Sequence, residues 1–134
     1  MAILIVTTVM CVFVYLAKTH LLAHMSGWHE WTDFTVPPKA LALPANIRVQ
    51  GQVIIVCNSG EAPWGHTLIR ISGEYLAELK TLEAGKCKNL SVQDFKTNSW
   101  KRMPPPKDFY VGDVEILANI REKAYAKWRV SDSR

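Results

Sequence analysis

A chain of 134 residues, 49% apolar and 21% charged with a net charge of +4, has room for one domain of ordinary size. That composition excludes a wholly disordered chain, a coiled coil and a disulfide-dense miniprotein. The apolar residues are unevenly placed. Residues 2 to 17 (AILIVTTVMCVFVYLA) carry no charge, and all 16 basic and 12 acidic side chains lie beyond them.

The uncharged segment predicts a membrane anchor. Ile3, Leu4, Ile5, Val6, Val9, Val12, Phe13, Val14 and Leu16 each favour insertion by roughly 0.3 to 0.6 kcal/mol. Together they outweigh the polar groups of Thr7, Thr8 and Tyr15. Sixteen residues make only about 24 Å of helix against roughly 30 Å of hydrocarbon. Lys18 can snorkel, and Leu21, Leu22, Ala23 and Met25 extend the apolar stretch. Trp28, Trp31 and Phe34 follow as an interfacial aromatic cluster. A cleaved leader fits less well, because no basic n-region or small-x-small cleavage site accompanies the apolar run. Lys18, with no acid before Glu30, points to a cytoplasmic C-terminal side, in a single-pass protein of the cell inner membrane.

Residues 35 to 45 (TVPPKALALPA) hold three prolines and no glycine, which predicts a stiff, extended spacer. From residue 46 the period becomes two. Val49, Val53, Ile55 and Cys57 fall on one side of a candidate strand, with Gln52, Ile54 and Val56 opposite. Asn58-Ser59-Gly60 supplies turn chemistry. Further strands are expected over residues 66 to 71, 75 to 79 and 87 to 92. Val114, Ile116, Ala118 and Ile120 alternate in the next, and residues 124 to 130 complete a final hairpin. Short strands rich in β-branched residues, with no amphipathic helix, predict a mainly β antiparallel sandwich. The organisation expected is an anchor with its interfacial segment over 1–34, a spacer over 35–45 and the sandwich over 46–134.

V-I-I-V-C-N (Val53 to Asn58), Trp64, I-S-G-E-Y (Ile71 to Tyr75), L-E-A-G-K (Leu82 to Lys86), Asp94-Phe95 and R-M-P-P (Arg102 to Pro105) carry a resemblance. Over residues 46 to 130 the chain resembles bacterial immunoglobulin-like or fibronectin-like domains that follow a single membrane anchor. The resemblance implies an immunoglobulin-like β-sandwich used as a scaffold or docking surface, with no shared catalytic motif. Cys57, Trp64 and Cys87 keep the order of the antibody Cys…Trp…Cys pattern but are too closely spaced for it.

The chemistry-bearing residues are sparse. Cys57 and Cys87 would bridge if the domain faces an oxidising space; a cytoplasmic domain favours two buried, reduced thiols in neighbouring strands. His20, His24, His29 and His66 form no zinc pattern, and Asp94, Asp108, Asp113 and Glu115 read as solvated charges. No nucleophile elbow, phosphate loop or dinucleotide fingerprint is present. Residues 26 to 78 carry 3 basic and 5 acidic side chains, and residues 79 to 134 carry 12 and 7. The basic far half suits anionic headgroups or an acidic protein surface, and the dispersed lysines do not suit nucleic acid. Trp64 is expected in the core. Trp100, Lys101 and Arg102 are the candidate partner contacts. These readings lead to a non-enzymatic accessory subunit of a larger membrane protein complex, of respiratory or photosynthetic type, in contact with the lipid bilayer and needing no cofactor. The alternative is a metal or cofactor delivery factor that uses the domain cysteines.

Overall fold

The computed structural model describes residues 34–99 and 101–130. The expected span, from Ile3 to Leu16, and Lys18, Trp28 and Trp31 lie outside the described residues, as does Trp100. Among the described residues no helix is long and apolar enough to cross a membrane.

Among the described residues nine strands form two sheets: β1 (Leu41–Ala42), β2 (Ala45–Gln50), β3 (Val53–Asn58), β4 (Thr67–Ile71), β5 (Tyr75–Leu79), β6 (Cys87–Ser91), β7 (Lys96–Thr97), β8 (Asp113–Asn119) and β9 (Lys123–Arg129). A single 3-10 turn, Val92–Asp94, follows β6. One sheet runs β1-β9-β8-β4-β5-β7 and the other β2-β3-β6. All neighbours are antiparallel except β1 and β9, where Leu41 and Ala42 pair in parallel with Ala124 and Tyr125. The result is a mainly β, sandwich-like domain, and its strand order is consistent with an immunoglobulin-like fold.

The core between the sheets follows from alternation. Ile69, Ile71, Val114, Ile116 and Ala118 from the larger sheet meet Ile47, Ile54, Val56 and Leu90 from the smaller. Trp64 and Phe95 are fully buried among them, so Trp64 sits in the core as expected. The expected strands over 66–71 and 75–79 appear as β4 and β5. Between them Ser72 (φ 50°) and Gly73 (φ 68°) make the turn, and the Glu74 amide donates to the Ile71 carbonyl at 3.1 Å. Positive φ at both central residues is what a type I′ hairpin demands.

Three expectations are corrected. The single strand from residue 46 is a hairpin, because Gly51 at φ 58° turns the chain between Gln50 and Val53, which pair. The turn resets the alternation: Val49 lies opposite Ile54 and packs against the core with it, while Val53 is exposed. Part of the proline-bearing stretch is not free-standing, since β1 joins the sheet, the Leu43 amide donates to the Tyr125 carbonyl at 3.0 Å and Leu43 is buried. Pro44 lets the chain leave one sheet edge and enter the other. Finally, Cys57 and Cys87 are joined by a disulfide. They are not two buried, reduced thiols: they face each other across β3 and β6, Cys57 half-buried and Cys87 exposed. Both strands belong to one sheet, so the bridge differs from the inter-sheet bridge of antibody domains.

Asn58, read as a turn residue, ends β3 buried. Its side-chain Nδ2 donates to the Ala62 and Leu82 carbonyls at 2.9 and 3.0 Å, and its Oδ1 accepts from the Gly60 amide at 3.0 Å. It thus ties the connection after β3 to Leu82, whose carbonyl also accepts from the Trp64 backbone amide at 2.9 Å.

Candidate functional site

At one end of the sandwich the long β7–β8 connection crosses from the larger sheet towards the β2–β3 turn. Its first part is closed by Thr97. The Thr97 amide donates to the Met103 carbonyl at 2.9 Å, and its hydroxyl accepts from the Met103 amide and donates to the Lys101 carbonyl, both at 3.0 Å. This tight loop presents Lys101 and Arg102, both exposed.

The second part is stiffened by three successive prolines, of which Pro105 is buried. Gln93 Nε2 donates to the Pro106 carbonyl at 3.2 Å, and Gln52 Nε2 donates to the Phe109 carbonyl at 3.0 Å. The Phe109 ring meets Tyr75 edge-on at 4.9 Å. These anchors hold the loop against both sheets, while its neighbours point outward: Met103 is 58% and Tyr110 70% exposed. Of two adjacent aromatic residues, Phe109 is thus held by its ring contact and its carbonyl, and Tyr110 projects from the surface.

Beside Tyr110 lies an open groove of about 690 Å³, lined by β2, the Gly51 turn, the loop and the end of β9. Its lining includes the apolar Ile47, Val49, Phe109, Val111, Trp128 and Val130 and the polar Arg48, Gln50, Gln52 and Asp108. An apolar channel with a few convergent polar groups can hold a protein side chain or a short segment. Sequence reasoning missed Met103, Tyr110 and Trp128 here. Phe109-Tyr110 in a proline- and glycine-bounded loop was the available signal, since two neighbouring aromatics cannot both face one core. The groove itself had no signal, because three distant segments build it.

A second polar feature lies on the outward face of the larger sheet. Arg70 of β4 and Glu115 of β8 are register partners. Arg70 Nη2 donates to both Glu115 oxygens at 2.9 and 3.0 Å and Nε adds a third bond at 3.1 Å. Tyr125 Oη donates to Glu115 Oε2 at 2.5 Å. Glu115 is buried, which corrects its reading as a solvated charge. Burial alone would raise its pKa, but the Tyr125 and Arg70 hydrogen bonds and the Arg70 charge more than offset this and hold it below the usual carboxylate range. Burial first, and donation to Glu115 second, push the Tyr125 phenol up to about 12. Phe34, expected at the membrane interface, is half-buried and has the Arg70 guanidinium over its ring at 4.3 Å. Leu68, Leu76 and Leu117 on this face are buried too. With every member paired, the cluster's chemistry is positional: it fixes strand register.

Among the described residues no group of three metal-ligating side chains occurs. His66 pairs instead with Glu78 at 2.9 Å. No protein-family model and no curated protein sequence matches this chain.

Proposed function

We propose that this protein is a non-catalytic, single-pass membrane accessory subunit that docks on, or stabilises, a larger membrane protein complex. The observation that supports the reading is the surface of residues 103–111: Met103 and Tyr110 exposed on a loop held by Gln52, Gln93 and the Tyr75 ring, beside a groove lined by Phe109, Trp128 and Val130. Large aromatic and thioether side chains in such a setting are the usual anchors of a protein contact. Lys101 and Arg102 add positive charge to the approach, which favours an acidic partner surface. An apolar segment in the bilayer and a docking domain outside it would give two linked contacts and an avidity gain. A delivery role through Cys57 and Cys87 requires free thiolates, and here the two sulfurs are bonded to each other.

The test is gentle detergent extraction of tagged full-length protein at native abundance, followed by sizing and mass spectrometry. A discrete complex of fixed stoichiometry is expected. Tyr110→Ser with Met103→Ser should weaken it by on the order of 30-fold while leaving the domain folded. A monomer without partners overturns the reading.

A further inference from the structure

We infer that the domain works in an oxidising compartment, on the side of the membrane away from the cytoplasm, with the Cys57–Cys87 bridge as the fastening of β6. The oxidising compartment is argued from the smaller sheet and does not depend on the docking reading; the side of the membrane rests on the anchor of the proposed function.

Two observations carry it. The first is where the cysteines sit. Reduced cysteines are among the most buried residues and pack as small apolar groups. Here the inward positions of β3 are Ile54, Val56 and Asn58, and Cys57 points to the opposite, solvent side. Cys87 is exposed beside it, on directly opposed positions with Cα atoms 4.0 Å apart. Neither thiol would contribute to the core. On these opposed positions of the outward face, Cys57 half-buried and Cys87 exposed, the two sulfurs are joined to each other.

The second is what β6 lacks. Of its five residues only Leu90 is buried, and the strand is the edge of its sheet, paired with β3 alone. One buried leucine and one ladder of hydrogen bonds are a slender attachment for an edge strand. The bridge closes a 30-residue separation that spans β4 and β5, and it removes from the unfolded chain the freedom that competes with this docking. A domain held this way is built for a compartment in which disulfides persist. Lys18 argues the other way, but a single lysine is a small charge bias beside a covalent fastening.

Formation of the bond is a two-electron oxidation by thiol–disulfide exchange with a protein disulfide of that compartment. The thiolate of one cysteine attacks it and expels one of its sulfurs. The second thiolate then attacks the mixed disulfide, leaving Cys57 and Cys87 joined and the oxidant carrying two thiols.

The test uses the full chain in cells. Thiols are trapped by rapid acid quench, tagged with one maleimide before reduction and another after, and assigned by peptide mass. A C-terminal phosphatase that is active only after export reports the compartment. Cys57 and Cys87 should carry only the second tag, with the phosphatase active. Reduction of the purified chain should lower the melting midpoint by on the order of 20 °C and expose β6 amides to exchange. First-tag labelling of both cysteines, or a silent phosphatase, overturns the inference. So does a midpoint that moves by less than about 5 °C on reduction.

Discussion

The two sheets solve the same problem by different means. In the larger sheet β4 and β5 each bury four of five residues and β8 buries five of seven, so apolar packing holds its centre. In the smaller sheet β6 buries one of five, and a covalent bond stands where packing is thin. The contrast extends to polar groups. The larger sheet carries a charged cluster, Arg70, Glu115 and Tyr125, fully paired by hydrogen bonds, whereas the smaller presents its outward face to solvent. A sheet with a dense core tolerates a buried ion pair because the surrounding strands already fix the geometry that the pair needs. A sheet held by few side chains gains more from a cross-link that acts on the unfolded chain.

The largest expected effect tests the packed side. Ile69→Ala at the centre of β4 removes a fully buried side chain and should cost about 3 to 5 kcal/mol in chemical unfolding. Leu90→Ala should cost about 2 to 3 kcal/mol, a difference that would vanish if the two sheets were equally packed. Next comes the cross-link. Cys57→Ser with Cys87→Ser should cost about 3 to 4 kcal/mol for the 30-residue separation, and hydrogen exchange should rise in β6 while β4 and β8 stay protected. Equal loss of protection in both sheets would show that the bridge serves the whole domain.

Arg70→Met leaves Glu115 with Tyr125 as its remaining hydrogen-bond donor and should cost about 1 to 3 kcal/mol. A carbon-detected titration should show the Glu115 pKa rising towards the ordinary carboxylate value. The smallest effect is a matter of pH. Tyr125 is raised in the folded state, from 10.0 to about 12, so its contribution is fully present below about pH 10 and is lost as pH rises through 12. Glu115 is lowered, so its contribution is present above its ordinary pKa near 4.5 and is lost as pH falls through the depressed value. Tyr125→Phe should flatten the alkaline limb of the stability profile and weaken the acid one.

Legibility in the sequence followed locality. β5 was readable to the residue and β4 to within one, because each alternates between strong turn signals and pairs with its neighbour across Ser72-Gly73. The β8–β9 hairpin was readable for the same reason. The β2–β3 hairpin was not, since one glycine between two apolar runs leaves a continuous alternation just as plausible until the pairing of Gln50 with Val53 is seen. β1 had no local signature: two residues in a proline-bearing stretch become a strand only because β9 offers an edge. On the β7–β8 loop, Lys101 and Arg102 could be named as candidates from the turn-like sequence around Trp100. The pinned and free roles of Phe109 and Tyr110 could not, because they depend on Gln52 and Tyr75 arriving from other strands.

What the amino-acid order determined by itself is the mainly β character and the periodicity of the central strands, both consequences of side-chain alternation over a few residues. Tertiary structure alone decided the fate of the charged and sulfur-bearing groups. Glu115 is a solvated acid in any local reading and becomes a buried one when β4 brings Arg70 beside it. Cys57 and Cys87 become a bond when β3 and β6 set them face to face. Such groups are decided late because their energy depends on a partner and a dielectric that local sequence does not contain.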